Sequence, residues 1–193
     1  MARQRTFDIE HAIDIATEMF WRKGYERTSL ADLTKAIGIT PPSFYFAFGS
    51  KEDLFRAVLA RYRSSRLEYA EAATSLATAR DVAEQMLLRY AELYTDPAKP
   101  PGCLAVNCSL PSGCSDALMQ EEFTKQRCAR RARIRERFER ARAEGDLPKD
   151  ADADELARYL MTVGWGMAID AQSGATRSEL TATAKRALAA WPA

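Results

Sequence analysis

Apolar residues recur at helical spacing through most of the chain. Near the N-terminus, a period of 3.6 residues predicts a first helix from about Asp8 to Lys23 that ends at Gly24. Its apolar face holds Ile9, Ala12, Ile13, Ala16 and Phe20. No segment alternates apolar and polar residues as a strand would, and no internal repeat is visible. The pattern therefore predicts an all-α fold.

Helix starts and stops divide the rest of the chain. Proline and glycine mark the breaks at 95–102 and 145–148. Three starts carry a Ser or Thr followed three residues later by an acid, the capping-box pattern, at Ser29, Ser50 and Thr176. Eight further helices are predicted: Leu30–Ala36, a helix opening on Thr40-Pro41-Pro42, Lys51 into the 61–69 region, Asp81–Tyr94, Cys103–Ser109, Ser115 or Asp116 to Ala143, Asp152–Ala171, and Thr176–Trp191.

Residues 28–55 carry the main functional signal. Gly38 separates two short predicted helices and suits a sharp turn, because glycine readily adopts positive φ. Thr40 can cap the second of these helices, where Pro41 at the first position loses no needed hydrogen bond. Two short helices joined in this way form a helix-turn-helix, which presents its second helix to a DNA major groove.

Composition limits the alternatives. The chain has 193 residues, 47% of them apolar and 28% charged, and its net charge is +1. A balanced total still permits DNA binding, since only a local basic patch must neutralise phosphates. No signal peptide is visible, and the longest apolar run, 159–169, is too short to span a bilayer. These features predict a cytoplasmic protein.

The cysteines suggest neither a metal nor a catalytic centre. Cys103, Cys108, Cys114 and Cys128 lack CxxC spacing, and the single histidine, His11, lies in the first predicted helix. We expect free thiols, no metal site and no cofactor. A thiol enzyme would need a base near its nucleophile, and no glycine-rich phosphate loop is present, so we predict that the chain is not an enzyme.

The helix-turn-helix segment resembles the N-terminal signature of the TetR-type transcriptional regulators. The matching residues are Thr28-Ser29-Leu30, Ile37-Gly38-Ile39, Phe44-Tyr45, Phe48 and Ser50-Lys51-Glu52-Asp53-Leu54. Pro41-Pro42 and Phe46-Ala47 depart from the family pattern. The resemblance implies a DNA-binding domain at 1–50 and a helical effector-binding and dimerisation domain at 51–193. It also implies a homodimeric repressor that a small-molecule effector releases from a palindromic operator.

Position in the motif predicts which residues face DNA: Thr40, Pro41, Pro42, Ser43, Tyr45 and Phe46. The resemblance implies phosphate contacts for Thr28, Thr40, Tyr45 and Lys51. Pro41, Pro42 and Phe46 have no hydrogen-bond donor, so their readout must be apolar, for example against thymine methyls. Phe44 and Phe48, four residues apart, are predicted core residues. Arg3 and Arg5 form either a minor-groove arm or a simple tail.

The resemblance implies an effector cavity in the second domain and a dimer contact on the last two helices. Cavity candidates are Met86, Tyr90, Tyr94, Cys103, Asn107, Met119, Phe123 and Trp165. Leu156, Leu160, Val163, Met167, Leu180 and Leu188 serve either the dimer contact or the protomer's own core. As an alternative to ligand control, modification of Cys103 or Cys108 would switch the repressor.

One segment of the chain is strongly basic, and its role has more than one interpretation. Residues 125–142 hold nine basic and two acidic residues on one predicted helix. The simple interpretation is a solvated face with ion pairs. The alternatives are a second DNA-contacting surface or a site for an anionic ligand, since clustered arginines favour such partners.

Overall fold

The computed structural model describes residues 7–67, 72–109 and 117–192. Nine α-helices have their bounds within these residues, and none of the described residues forms a strand, so the predicted all-α fold is confirmed. The helices are α1 (Ile9–Lys23), α2 (Leu30–Ile37), α3 (Pro41–Phe48), α4 (Lys51–Tyr62), α5 (Ala79–Tyr94), α6 (Leu104–Ser109), α7 (Ala117–Glu144), α8 (Ala153–Gln172) and α9 (Arg177–Ala189). A π-helical turn, Arg63–Leu67, continues α4.

Side-chain caps determine where several helices begin. Ser29 and Thr176 each form a complete capping box. At Ser50 the box is only half formed: the serine hydroxyl accepts from the Asp53 backbone N–H at 3.0 Å, but the Ser50 backbone N–H donates to the Phe48 carbonyl at 3.0 Å and not to Asp53. The start of α5 lies two residues before its predicted position, because Thr78 caps the helix by accepting from the Asp81 backbone N–H at 3.0 Å.

Aromatic packing joins α1 to α4 in the N-terminal half. The Phe20 and Tyr25 ring centroids each lie 4.8 Å from that of Phe55. Phe44 is completely buried, as predicted, and its ring centroid lies 5.3 Å from that of half-buried Phe48. Burial of such rings contributes about 1.5–3 kcal/mol each and is one of the terms that stabilise the packing of these short helices.

The first helix is also tied to the segment around α6. The Trp21 indole N–H donates to the Pro101 carbonyl at 3.2 Å, and the Asn107 side-chain amide donates to the Trp21 carbonyl at 2.7 Å. The Cys108 thiol donates to the Phe20 carbonyl at 3.6 Å. These bonds connect the two halves of the chain through buried or half-buried groups.

The C-terminal half packs α5, α7, α8 and α9 against one another. Gly164 on α8 allows a close approach, because a Cβ there would lie 2.7 Å from the Tyr90 ring of α5. The Arg131 guanidinium on α7 forms a two-pronged ion pair with Asp154 on α8, one bond of which is 2.8 Å long. This pair lowers the pKa of Asp154, chiefly through the hydrogen bond from Arg131.

Among the described residues, no helix is long and apolar enough to cross a membrane. Within the same ranges, no three His, Cys, Asp or Glu side chains come together as metal ligands would.

Candidate DNA-binding surface and effector cavity

The N-terminal end of α3 presents a continuous exposed surface. Thr40 caps the helix by accepting from the Ser43 backbone N–H at 3.4 Å, and the two hydroxyl oxygens lie 3.0 Å apart. Pro41 occupies the first helical position, so no backbone donor is lost there. The six residues predicted to face DNA are all exposed on this one element: Thr40, Pro41, Pro42, Ser43, Tyr45 and Phe46.

Helix α3 has one buried aromatic side chain and two exposed ones. Phe44 points into the core, whereas Tyr45 is 53% exposed and Phe46 is 89% exposed. No ring contact of Phe46 occurs within the described residues, and Phe46 forms one exposed, largely apolar segment with Pro41, Pro42 and Tyr45, as suits a binding face. The surface therefore combines a phenol, two hydroxyls and an apolar tip.

Lys51, at the start of α4, packs against an aromatic ring. The Lys51 ammonium lies 4.1 Å from the centroid of the Tyr25 ring, a cation–π contact at the start of α4. The Tyr25 hydroxyl donates to Glu52 at 2.9 Å. The pKa of Glu52 is lowered, first by a hydrogen bond from its own backbone N–H and then by Tyr25. Lys51 is thus held beside α3 by its neighbours.

Thr28 is not on the surface. Its side chain is 0% exposed, and its hydroxyl donates to the Gly24 carbonyl at 2.8 Å. In this conformation the side chain supports the turn between α1 and α2, which gives no support to the phosphate contact that the resemblance implied. Arg3 and Arg5 lie outside the described residues.

A cavity of about 480 Å³ lies in the C-terminal half, a volume typical of sites for small molecules. Six of the eight predicted effector residues line it: Met86, Tyr90, Tyr94, Cys103, Phe123 and Trp165. Asn107 does not, because its amide is bonded to Trp21, and Met119 is buried elsewhere in the core. The cavity is also lined by Leu59, Tyr62 and Arg63, from the end of α4 and its π-helical turn.

Four arginines line the cavity, and none was among the predicted effector residues. They are Arg63 and, on α7, Arg127, Arg130 and Arg133. The α7 residues repeat every three positions, so they share one helix face. The signal was present in the basic segment 125–142, whose simplest interpretation was a solvated face. That interpretation holds for Lys125, which pairs with Glu121 at 2.9 Å, but not for Arg130, which is half-buried and donates to the Tyr90 hydroxyl in the cavity wall.

The cysteines lie in separate environments. Cys103 is buried in the cavity wall, where its sulfur accepts from the Tyr62 hydroxyl at 3.3 Å. Cys108 is fully buried and bonded to Phe20, and Cys128 is exposed. Cys114 lies outside the described residues. Neither predicted redox cysteine is therefore exposed to solvent in this conformation.

The predicted dimer residues face mainly inward. Leu160, Met167, Leu180 and Leu188 are buried in the protomer's own core, which is the other role that the sequence allowed. Leu156 and Val163 are half-buried and pack against that core. Their helical spacing reflects contacts of α8 and α9 with α5 and α7, because the face of a helix that packs within the protomer is its most apolar face.

A different face of α8 and α9 is exposed. Tyr159 is 38% exposed and Ile169 is 43% exposed, with exposed Thr162 between them on α8. Ala182 and Ala189 are exposed on α9. Small and apolar exposed residues on two neighbouring helices form a surface to which another helix pair can pack closely.

Two family models match the chain, one in each half. The model for bacterial regulatory proteins of the tetR family matches residues 12–58. The model for the tetracyclin repressor-like C-terminal domain matches residues 82–188, more than half of the chain. The chain belongs to the TetR family. The predicted resemblance is confirmed, and with it the helix-turn-helix in this TetR-family transcriptional regulator.

Similar proteins support the same conclusion over the full length. The HTH-type transcriptional repressor ComR of Escherichia coli strain K12 is 34% identical over 98% of this TetR-family chain and 91% of its own length. The uncharacterized HTH-type transcriptional regulator YezE of Bacillus subtilis strain 168 is 30% identical over 83% of this chain and 84% of its own.

Among solved structures, a cysteine-substituted variant of the TetR family transcriptional regulator CifR is similar over nearly the whole fold. That variant is complexed with 26-base-pair operator DNA. Its TM-score is 0.91 at 38% identity, covering 98% of this chain and 100% of that chain. The helices of this TetR-family regulator are therefore arranged much as in a relative that is bound to its operator.

Proposed function

We propose that this TetR-family protein is a repressor that binds a palindromic operator as a homodimer and leaves it when a small molecule enters the cavity. The observation that carries the proposal is the exposed N-terminal face of α3, which combines hydroxyl groups with an 89% exposed phenylalanine. The similarity to an operator-bound regulator supports it. A repressor of this kind acts on chromosomal DNA in the cytoplasm and needs no catalytic residue or cofactor.

The exposed groups of α3 divide into two kinds of DNA contact. The hydroxyls of Thr40 and Tyr45 and the ammonium of Lys51 bind phosphates, and the helix N-terminus favours an anion there. Phe46, Pro41 and Pro42 contact base edges. Because these three side chains have no donor, they favour thymine, whose C5-methyl group is apolar. Ser43 adds a second exposed hydroxyl, beside that of Tyr45, between the two prolines and Phe46.

The homodimer uses the exposed face of α8 and α9. Two α3 helices are needed to address two half-sites one DNA turn apart, and a two-fold axis provides both. Tyr159, Thr162 and Ile169 of α8 pack beside Ala182 of α9 in this arrangement. The six leucine, valine and methionine candidates support this face from inside the protomer. The domain division at residue 50 remains a prediction, because α4 packs on both halves.

Helix α4 connects the cavity to α3, which is the proposed recognition helix. Only Gly49 and Ser50 separate the end of α3 from the start of α4, and the last turn of α4 lines the cavity. Tyr62 also donates to Cys103, so the end of α4 is bonded to a second wall of the cavity. A ligand that displaces Tyr62 moves α4 and therefore α3. The two binding sites are then energetically coupled, as allosteric control requires.

Control through cysteine modification has less support. Cys103 and Cys108 are both buried, and each is already hydrogen-bonded. A solvent-accessible thiolate is the usual reactive form, and neither thiol meets that condition here. Alkylation of the native protein without any change in DNA affinity would exclude this alternative.

DNA binding is tested by fluorescence anisotropy with a labelled duplex from the region upstream of the protein's own gene. A scrambled duplex of equal length measures non-specific affinity. We expect specific, salt-sensitive binding that Tyr45→Phe weakens roughly ten- to hundredfold, because a hydrogen bond to a charged phosphate is worth roughly 1.5–3 kcal/mol.

A matched pair of lysine variants separates a local contact from a change in net charge. Lys51→Ala should weaken binding and reduce the salt dependence of the affinity. Lys149→Ala removes the same charge from an exposed position between α7 and α8 and should change neither quantity. Equal effects of the two variants would contradict the proposed docking of α3.

A further inference from the structure

The lining of the cavity is unusual in its charge. Arg63, Arg127, Arg130 and Arg133 contribute four guanidinium groups, and no described residue in the lining carries a carboxylate. The remaining lining is largely aromatic and aliphatic, with Met86, Tyr94, Phe123 and Trp165 among its members. Cationic groups at the edge of an apolar cavity favour an anion and disfavour a cation, and both effects are strongest at half-buried Arg130, where less water screens the charge.

The arginines lie at different depths. Arg130 is half-buried, and its guanidinium donates to the Tyr90 hydroxyl at 2.8 Å while lying 5.6 Å from the Tyr90 ring centroid. Arg127 is exposed and stacks 5.5 Å from the Trp165 ring centroid. Arg63 and Arg133 are also exposed, at the cavity mouth. Contacts with the Trp165 and Tyr90 rings restrict the guanidinium groups of Arg127 and Arg130.

This arrangement has an apolar interior and a basic rim. A guanidinium forms two parallel hydrogen bonds to a carboxylate, and a rigid aromatic neighbour reduces the entropy lost in that pairing. A neutral compound would fill the interior but leave the rim unused. An ammonium compound would meet four like charges.

We infer that the effector is a small organic carboxylate with an apolar body, its carboxylate at Arg130 and Arg127 and its body against Tyr94, Phe123 and Met86. The inference rests on the proposed function, because it names the ligand class for the same cavity. It also gives the ligand a route to α4, since Arg63 and Tyr62 lie in the same wall.

Paired acids and amides test the ligand class directly. Hexanoate, 4-phenylbutyrate and naphthalene-2-acetate are each compared with the corresponding neutral primary amide, by thermal shift and isothermal titration calorimetry. We expect at least one acid to bind at least tenfold more tightly than its amide and to raise the Tm of the full-length protein. If no acid exceeds its amide, the inference is wrong.

Arginine variants locate the contact. Arg130→Met should remove the preference for the acid while retaining an unbranched, largely apolar side chain, and Arg130→Lys should keep part of the preference. Arg135→Met is the matched control, because Arg135 is on the same helix but outside the cavity lining. Circular dichroism confirms that each variant is folded. Arg127→Met is measured in the same way. If both Arg130→Met and Arg127→Met still prefer the acid to its amide, the anion binds elsewhere and the inference is wrong.

The same ligands separate this inference from the proposed repressor function. If an acid binds as expected but does not release the operator duplex, the ligand class stands and the proposed release mechanism fails. If only neutral compounds bind and release the duplex, the repressor function stands and the carboxylate assignment fails.

Discussion

The proposed DNA-binding surface and the proposed effector cavity reverse the usual distribution of polar and apolar groups. The surface at the start of α3 exposes Phe46 and two prolines to solvent. The cavity in the C-terminal half holds guanidinium groups against aromatic rings. Both exceptions leave chemical groups ready for a partner, which supports the assignment of both places as binding sites.

The two sites also differ in how the chain builds them. The DNA-binding surface is a single segment of seven residues, 40–46, oriented by one cap and one turn. The cavity collects residues from 59 to 165, from the end of α4 through α8. A local site depends on few contacts, whereas a dispersed site depends on the packing of the whole C-terminal half. Substitutions at each site should therefore differ in how far they disturb the rest of the fold.

Two phenylalanines on the same helix give the largest contrast. Phe44→Ala should lower the free energy of unfolding by roughly 3–5 kcal/mol, because it opens a cavity in the core. Phe46→Ala should change stability by less than about 0.5 kcal/mol and should weaken operator binding. Urea denaturation and anisotropy measure the two effects. A large loss of stability in Phe46→Ala would show that Phe46 is a packing residue.

The proposed dimer face predicts the next largest effect. Ile169→Glu should weaken dimerisation by roughly 3 kcal/mol, because it places an unpaired charge in an apolar contact. Analytical ultracentrifugation measures the change. Ile9→Glu is the matched control, since Ile9 is 49% exposed on α1, away from this face. Equal dissociation of both variants would place the interface elsewhere.

Gly164 tests how the cavity depends on packing. Gly164→Ala should cost about 1–3 kcal/mol, because its new methyl group would press on the Tyr90 ring and push that ring toward the cavity. Thermal and chemical denaturation report the loss. Adding Tyr90→Leu should recover part of it, and purely additive effects would contradict the assumed contact.

The Arg131–Asp154 ion pair predicts a small, pH-dependent effect. The pair lowers the pKa of Asp154 from its ordinary value of 3.8, chiefly through the hydrogen bond from Arg131. Its contribution is therefore present above the unfolded pKa and is lost as the pH falls through the folded one. Asp154→Asn should lower the Tm slightly at neutral pH, with a difference from wild type that shrinks as the pH falls below the ordinary pKa of 3.8 and through the lowered folded pKa. A difference independent of pH would exclude the ion pair as its cause.

Local signals explain how much of the N-terminal half could be predicted from the sequence. The capping box at Ser29, the turn at Gly38 and the cap at Thr40 each depend on residues within a few positions, so they could be located directly. Thr28 is the exception. Its position in the motif suggested DNA, but burial of its hydroxyl depends on how α1 and α2 pack.

In the C-terminal half, local sequence signals could not identify all the cavity residues. Six apolar and aromatic cavity residues could be chosen by type, but Arg127, Arg130 and Arg133 could not be separated from the other arginines of α7. Their role depends on which face of α7 turns toward α5, a question of tertiary packing. The inward position of Leu160, Met167 and Leu180 has the same origin, because helix periodicity identifies an apolar face but not its partner.

The hydrogen bonds between α1 and the α6 segment have a consequence for synthesis of the protein. They join residues 80, 86 and 88 positions apart in the chain. On the ribosome, the first three helices emerge long before their partners, and Phe20 and Trp21 have no α6 segment to bind until Cys108 has left the exit tunnel. The nascent recognition helix therefore remains without this support while the next sixty residues are made, on the order of seconds at the usual rate of translation.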